Sequence, residues 1–138
     1  MNESGGQLPL VVYDTNIVLQ ATLSPQSVSE KSLSLIKTGR VAAILSNRLR
    51  SEYEDVLRRL SLRGKYKRLL GEEIIAAQLE RIDALMHRVP NPPEQIEYPR
   101  DAKDAPLINL AIFYDARFAV CRHTQRPNRR DREQGCRL

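Results

Sequence analysis

The hydrophobic pattern changes period at a single acid in LPLVVYDTNIVLQATL, residues 8–23. LVVY is a continuous apolar, β-branched run, too short for a helix and suited to a buried strand. After Asp14 the apolar positions fall at helical spacing, which predicts a helix from Thr15 to Leu23. Ser27 opens a second helix, with Glu30 completing a capping box ahead of Leu33, Leu35 and Ile36, and Gly39 stops it. VAAIL at 41–45 reads as the second strand, and Ser46 or Asn47 caps a helix running to Leu60. SLRGKY breaks that pattern, and a further amphipathic helix is expected from Glu72 to Arg88, with His87 near its C-terminal dipole. VPNPPEQIEYP carries four prolines and is expected to be an extended loop. DAKDAPLINLAIFYDA is helical again, with Pro106 tolerated in its first turn, and RFAVC reads as a last strand.

Strands alternating with helices predict an α/β fold around a parallel sheet covered on both faces. Reactive groups in such folds sit beyond the C-terminal ends of the strands, where Asp14 falls. In SNRLRSEYEDVLRRL the apolar stripe is Leu49, Tyr53, Val56, Leu57 and Leu60, and Glu52 shares that side. Glu54 and Asp55 face away, with i,i+4 partners in Arg58 and Arg59. Asp104 precedes Leu107, Ile108 and Ala111 by three, four and seven residues, so it too lies along an apolar stripe. Each acid has an ordinary alternative. Asp14 is a helix cap, Glu52 rides the boundary to water, and Asp104 is a first-turn acid behind an Asp101 cap. Taken together, clustered carboxylates are ligands for a hard cation such as Mg2+ or Mn2+ rather than zinc.

Composition adds limits. At 138 residues the chain is one domain, and 41% hydrophobic with 28% charged residues is ordinary for a soluble globular protein. The net charge of +5 suggests a nucleic-acid binder, but residues 121–138 hold six Arg against two acids and leave the body near neutrality. Local clusters at 48–50, 58–59 and 63–68 remain as candidate phosphate contacts. The leader MNESGGQ has no signal-peptide character, no apolar run is long enough to span a membrane, and the cytoplasm is expected. There is no P-loop, GxGxxG, HExxH or GxSxG. Cys121, His123 and Cys136 lack zinc-site spacing, and two cysteines make no disulfide framework.

VVYDTNIVLQATLS, LSNRLRSEYEDVL and RDAKDAPLINLAIFYDARFAV together resemble the three blocks of PIN-domain proteins, in particular VapC-like toxin components of toxin–antitoxin systems. The resemblance implies a three-layer α/β/α sandwich around a parallel sheet and a ribonuclease dependent on Mg2+ or Mn2+. It assigns Asp14, Glu52 and Asp104 as catalytic metal ligands, with Asn16, Thr15 and Asp101 in support. It also implies an RNA substrate, a cognate antitoxin and a homodimer. The expected organisation is a polar leader (1–8), a PIN-like domain (9–121) and a basic, disordered or non-native tail (122–138). The tail departs from the family: His123 stands where a fourth acid is usual, and no apolar stretch follows Cys121. The sheet is therefore expected to lack its last edge strand, and an altered reading frame or gene end would account for the tail. The competing reading is a degenerate PIN-like module that binds a partner or RNA without cleaving. An aspartyl-nucleophile phosphatase fits poorly, because Asn16 stands where that chemistry commonly needs a second acid.

Overall fold

The computed structural model describes residues 8–93 and 105–120. Its strands are β1 (Leu10–Tyr13), β2 (Ala42–Ser46), β3 (His87–Val89) and β4 (Phe118–Val120). Its helices are α1 (Thr15–Leu23), α2 (Val28–Lys37), α3 (Asn47–Ser61), α4 (Glu72–Leu85) and α5 (Ala105–Phe113), with a 3-10 turn at Gly64–Tyr66. The four strands form one parallel sheet in the order β3-β2-β1-β4. Five helices flank it, which is the predicted three-layer α/β/α arrangement.

The chain steps from β1 to β2 to β3 in one direction, then crosses back to lay β4 on the other side of β1. Right-handed crossovers therefore put α5, which packs on β1 and β4, on the opposite face from α1 to α4. The reversal makes the crevice between the C-terminal ends of β1 and β4 the switch point where such sheets bind ligands. β1 is central, and Val11, Val12 and Tyr13 are buried, as the unbroken apolar run requires. Leu33, Leu45, Leu49, Leu57, Ile75, Ile82 and Leu110 complete the core at about 1.5–3 kcal/mol of burial each.

Local chemistry sets the element ends. Ser27 accepts from the Glu30 N–H at 3.2 Å, but the Glu30 carboxylate takes Arg81 of α4 at 2.6 and 2.8 Å, so the box is half formed and α2 is tied to α4 instead. Gly39, at φ +74°, ends α2 in the left-handed conformation that glycine adopts without penalty. Asp115 does the same for α5 at φ +54°, with the Ala116 N–H returning to the Ala111 carbonyl at 2.7 Å. Asp55 and Arg59 do not form the expected ion pair: the Arg59 guanidinium donates to the Asp55 backbone carbonyl at 3.4 Å.

The helix expected to reach Arg88 stops at Leu85. Met86 is already extended (φ −104°, ψ 143°), and His87 to Val89 pair with Ile44 to Ser46 as an edge strand. His87 is accordingly a strand residue and not a helix-end contact. Pairing with β2 makes these residues a strand, and Pro90 is consistent with it, since proline disfavours helix at the residue before it and is tolerated beside an edge strand. Most of the proline-rich loop, the tail from Cys121 and the position of a further edge strand lie outside the described residues.

Candidate active site

β1 ends at Tyr13, and Asp14 continues its pairing by one step, donating its backbone N–H to the Val120 carbonyl at 2.7 Å. Asp14 is thus anchored at the crevice between β1 and β4. It also caps α1: its Oδ1 accepts from the Thr15 N–H at 2.8 Å, and its carbonyl accepts from the Ile17 N–H at 3.1 Å. The helix N-terminus favours the carboxylate charge there. Capping and a functional role are compatible, because a cap bond orients a carboxylate without neutralising it.

Glu52 arrives from α3. Ser46, the last residue of β2, caps that helix by accepting from the Leu49 N–H at 3.1 Å, and Asn91 accepts from the Arg48 N–H at 3.1 Å. Two of the helix's orphan donors are thereby satisfied, and the start of α3 is fixed at the C-terminal end of the sheet. One turn on, Glu52 is half-buried, and its Oε2 accepts from the Thr15 hydroxyl at 2.9 Å. Thr15, itself buried, therefore touches both acids, Asp14 through its N–H and Glu52 through its hydroxyl.

Tyr53 holds this arrangement from beneath. It is fully buried, and its hydroxyl donates a hydrogen bond to the Tyr13 carbonyl, locking α3 against the end of β1. The Tyr13 hydroxyl in turn donates to the Ser32 carbonyl of α2 at 2.7 Å. Burial pushes the Tyr53 phenol well above the usual range, and the negative charges of Asp14 and then Glu52 push it further the same way. Burial also raises Tyr13, against a smaller opposing effect of its bond to Ser32. The two carboxylates thus share one electrostatic neighbourhood.

Asn16 is half-buried in the first turn of α1. Asp101 and Asp104 lie outside the described residues, as do Cys121, His123 and Cys136. Among the described residues no group of three or more His, Cys, Asp or Glu is placed to hold a metal ion. Asp14 and Glu52 are the carboxylates that the described part of the chain brings to this end of the sheet. Sequence reasoning placed Tyr53 only in the apolar stripe; its bridging hydroxyl had one available signal, that a buried tyrosine needs a hydrogen-bond acceptor. Among the described residues no helix is long and apolar enough to cross a membrane.

Compared with known proteins, the chain matches the family model of the PIN domain over residues 10–125. No curated protein matches it. PIN domains are generally nucleases and typically use divalent metals. With a match running from β1 past β4, and with acids at the strand end and on the facing helix, the chain belongs to the PIN-domain family.

Proposed function

We propose that the chain is a metal-dependent ribonuclease that hydrolyses RNA phosphodiester bonds with Mg2+ or Mn2+, and that it is the toxin of a toxin–antitoxin pair. The observation that carries this reading is the pair Asp14 and Glu52, gathered by Thr15 at the C-terminal end of the sheet. The donor set fits a hard cation: the groups are oxygen ligands, held by an N–H and a hydroxyl that orient them from behind. Asp14, Glu52 and, beyond the described residues, Asp104 are the proposed ligands. When bound, the cation supplies a lowered pKa for attacking water and offsets charge developing on the phosphate.

The protein's own contribution is preorganisation. The Thr15 hydroxyl holds Glu52 in one orientation, the α1 N-terminus stabilises the Asp14 charge, and Tyr53 fixes α3 to β1 so that the acids do not drift apart. In-line attack by water is expected to leave a 5′-phosphate and a 3′-hydroxyl. The resemblance to VapC-like toxins adds a cognate antitoxin and a homodimer to the proposal, and a cytoplasmic setting is proposed beside them.

The test is incubation of folded protein with labelled single-stranded RNA, with and without Mn2+, beside Asp14→Asn, which keeps a good helix cap. Cleavage that needs both the metal and Asp14 is the expected result. No cleavage from the folded native chain would replace this reading with a module that binds RNA or a partner without cutting.

A further inference from the structure

Between Asp55 and Glu72 the chain carries Arg58, Arg59, Arg63, Lys65, Lys67 and Arg68 with no acid among them. The structure divides these cations into two groups. Arg58 is bound by Glu54 at 3.1 Å and Glu72 at 2.8 Å, and Arg59 donates to its own helix. Arg63, Lys65, Lys67 and Arg68 are exposed, and among the described residues none of them meets a carboxylate. Arg50, Arg81 and Arg88 are by contrast committed to Asp83, Glu30 and Asp83 in turn.

The turn that carries the four cations is anchored. The Tyr66 N–H donates to the Arg63 carbonyl at 2.9 Å, and the Leu69 and Leu70 N–H groups donate to the Tyr66 carbonyl at 3.0 and 2.9 Å. Leu70 is buried and Tyr66 packs against the core, while Lys65 Nζ lies 4.8 Å from the centre of the Tyr66 ring. The cations are thus presented on a fixed loop, with less conformational entropy to lose on binding than a free tail has. One 3-10 turn is too short to lie as an amphipathic helix in a lipid interface, so the exposed Leu62 and Leu69 do not make it a membrane anchor.

α3 starts at the C-terminal end of β2, passes the end of β1 at Glu52 and Tyr53, and carries the chain on to Ser61, after which this turn begins. At about 1.5 Å per residue, Ser61, the last residue of α3, lies about 14 Å along the helix axis from Glu52. That is roughly four phosphates at about 3.4 Å per nucleotide of one helical strand.

We infer that the turn at residues 63–68 is a phosphate-backbone clamp for RNA, a second contact remote from the carboxylates that holds the strand flanking the bond to be cut. The inference rests on the ribonuclease reading, and a binding assay without metal keeps the two separable. The full-length chain in EDTA is titrated against a fluorescein-labelled single-stranded RNA oligomer, and anisotropy is read over a range of salt. The variant K65Q/K67Q/R68Q is compared with the charge-matched K31Q/K37Q/R40Q, which alters exposed cations of α2 and the loop after it. The turn variant is expected to bind about tenfold more weakly or worse, with the slope of log K against log salt shallower by about 2, from roughly 0.7 per lost phosphate contact. The control is expected to stay within about twofold of the native chain.

Equal weakening in both variants would assign the effect to net charge and overturn the clamp. So would unchanged binding by the turn variant, or a native chain that binds phosphatidylserine vesicles but not RNA. Binding through the turn with no metal-dependent cleavage would sink the nuclease reading and leave the clamp standing.

Discussion

Replacing Tyr53 by Phe isolates one hydrogen bond in the support of the site. The ring stays in its fully buried place, and only the hydroxyl that donates to the Tyr13 carbonyl is lost. Leaving that acceptor without its donor costs about 1–2 kcal/mol. For a chain of this size that is a fall in Tm of about 3–8 °C. The phenol adds a pH signature. Burial, then Asp14 and Glu52, hold it neutral well above the usual tyrosine range. As pH climbs through about 10, the unfolded chain gives up this proton before the folded one does. The contribution is therefore intact below about pH 10 and drains away above it, by up to about 1.4 kcal/mol per pH unit. Phe has nothing to ionise. Urea unfolding followed by circular dichroism at pH 7 and pH 11 should show the variant less stable at pH 7 by about 1–2 kcal/mol. At pH 11 the gap should be smaller by about 1.4 kcal/mol. Tyr13, also raised by burial, is present in both proteins and cancels. A gap that holds its size across that range would refute both the buried phenol and its neighbourhood with the acids.

Other substitutions test separate joints of the structure. Thr15→Val removes the hydroxyl donor to Glu52 and should cut metal-dependent cleavage about tenfold or more with little change in Tm; unchanged activity would mean that Glu52 needs no such orientation. Ser46→Ala deletes the α3 cap to the Leu49 N–H and should cost about 1 kcal/mol in urea unfolding, and a neutral result would mean that Asn91 caps the helix alone. Glu30→Gln breaks a two-pronged contact with the partly buried Arg81 and should cost about 1–2 kcal/mol, less in high salt; a salt-independent loss would point to packing instead of charge.

What the sequence made legible were features that depend on neighbours along the chain. The strand-to-helix change at Asp14, the Ser27 and Ser46 caps and the Gly39 stop are local, and the structure has each of them. The inward placement of Glu52 followed from helical periodicity alone. Partnerships between distant segments were not legible. Glu30 prefers Arg81, 51 residues away, to its own cap, and Thr15 meets Glu52 across 37 residues. β3 was missed because Ile75, Leu79, Ile82 and Met86 keep a helical rhythm to the last turn, and only pairing with β2 makes the next three residues a strand.

The order β3-β2-β1-β4 also dictates timing. β1 leaves the ribosome first, and β2 can pair with it early, but its other neighbour is Phe118–Val120. At about 5–20 residues per second, the intervening chain takes on the order of 5–20 s to synthesise. Throughout that interval one edge of the central strand is open, and the Asp14 N–H has no Val120 carbonyl to meet. The sheet edge that steadies Asp14 is thus completed only after β4 has been synthesised, so a nascent chain harbours an acid whose seat is unfinished. Any agent that delays β4 docking would extend this immature period, and with it the exposure of the open strand to aggregation.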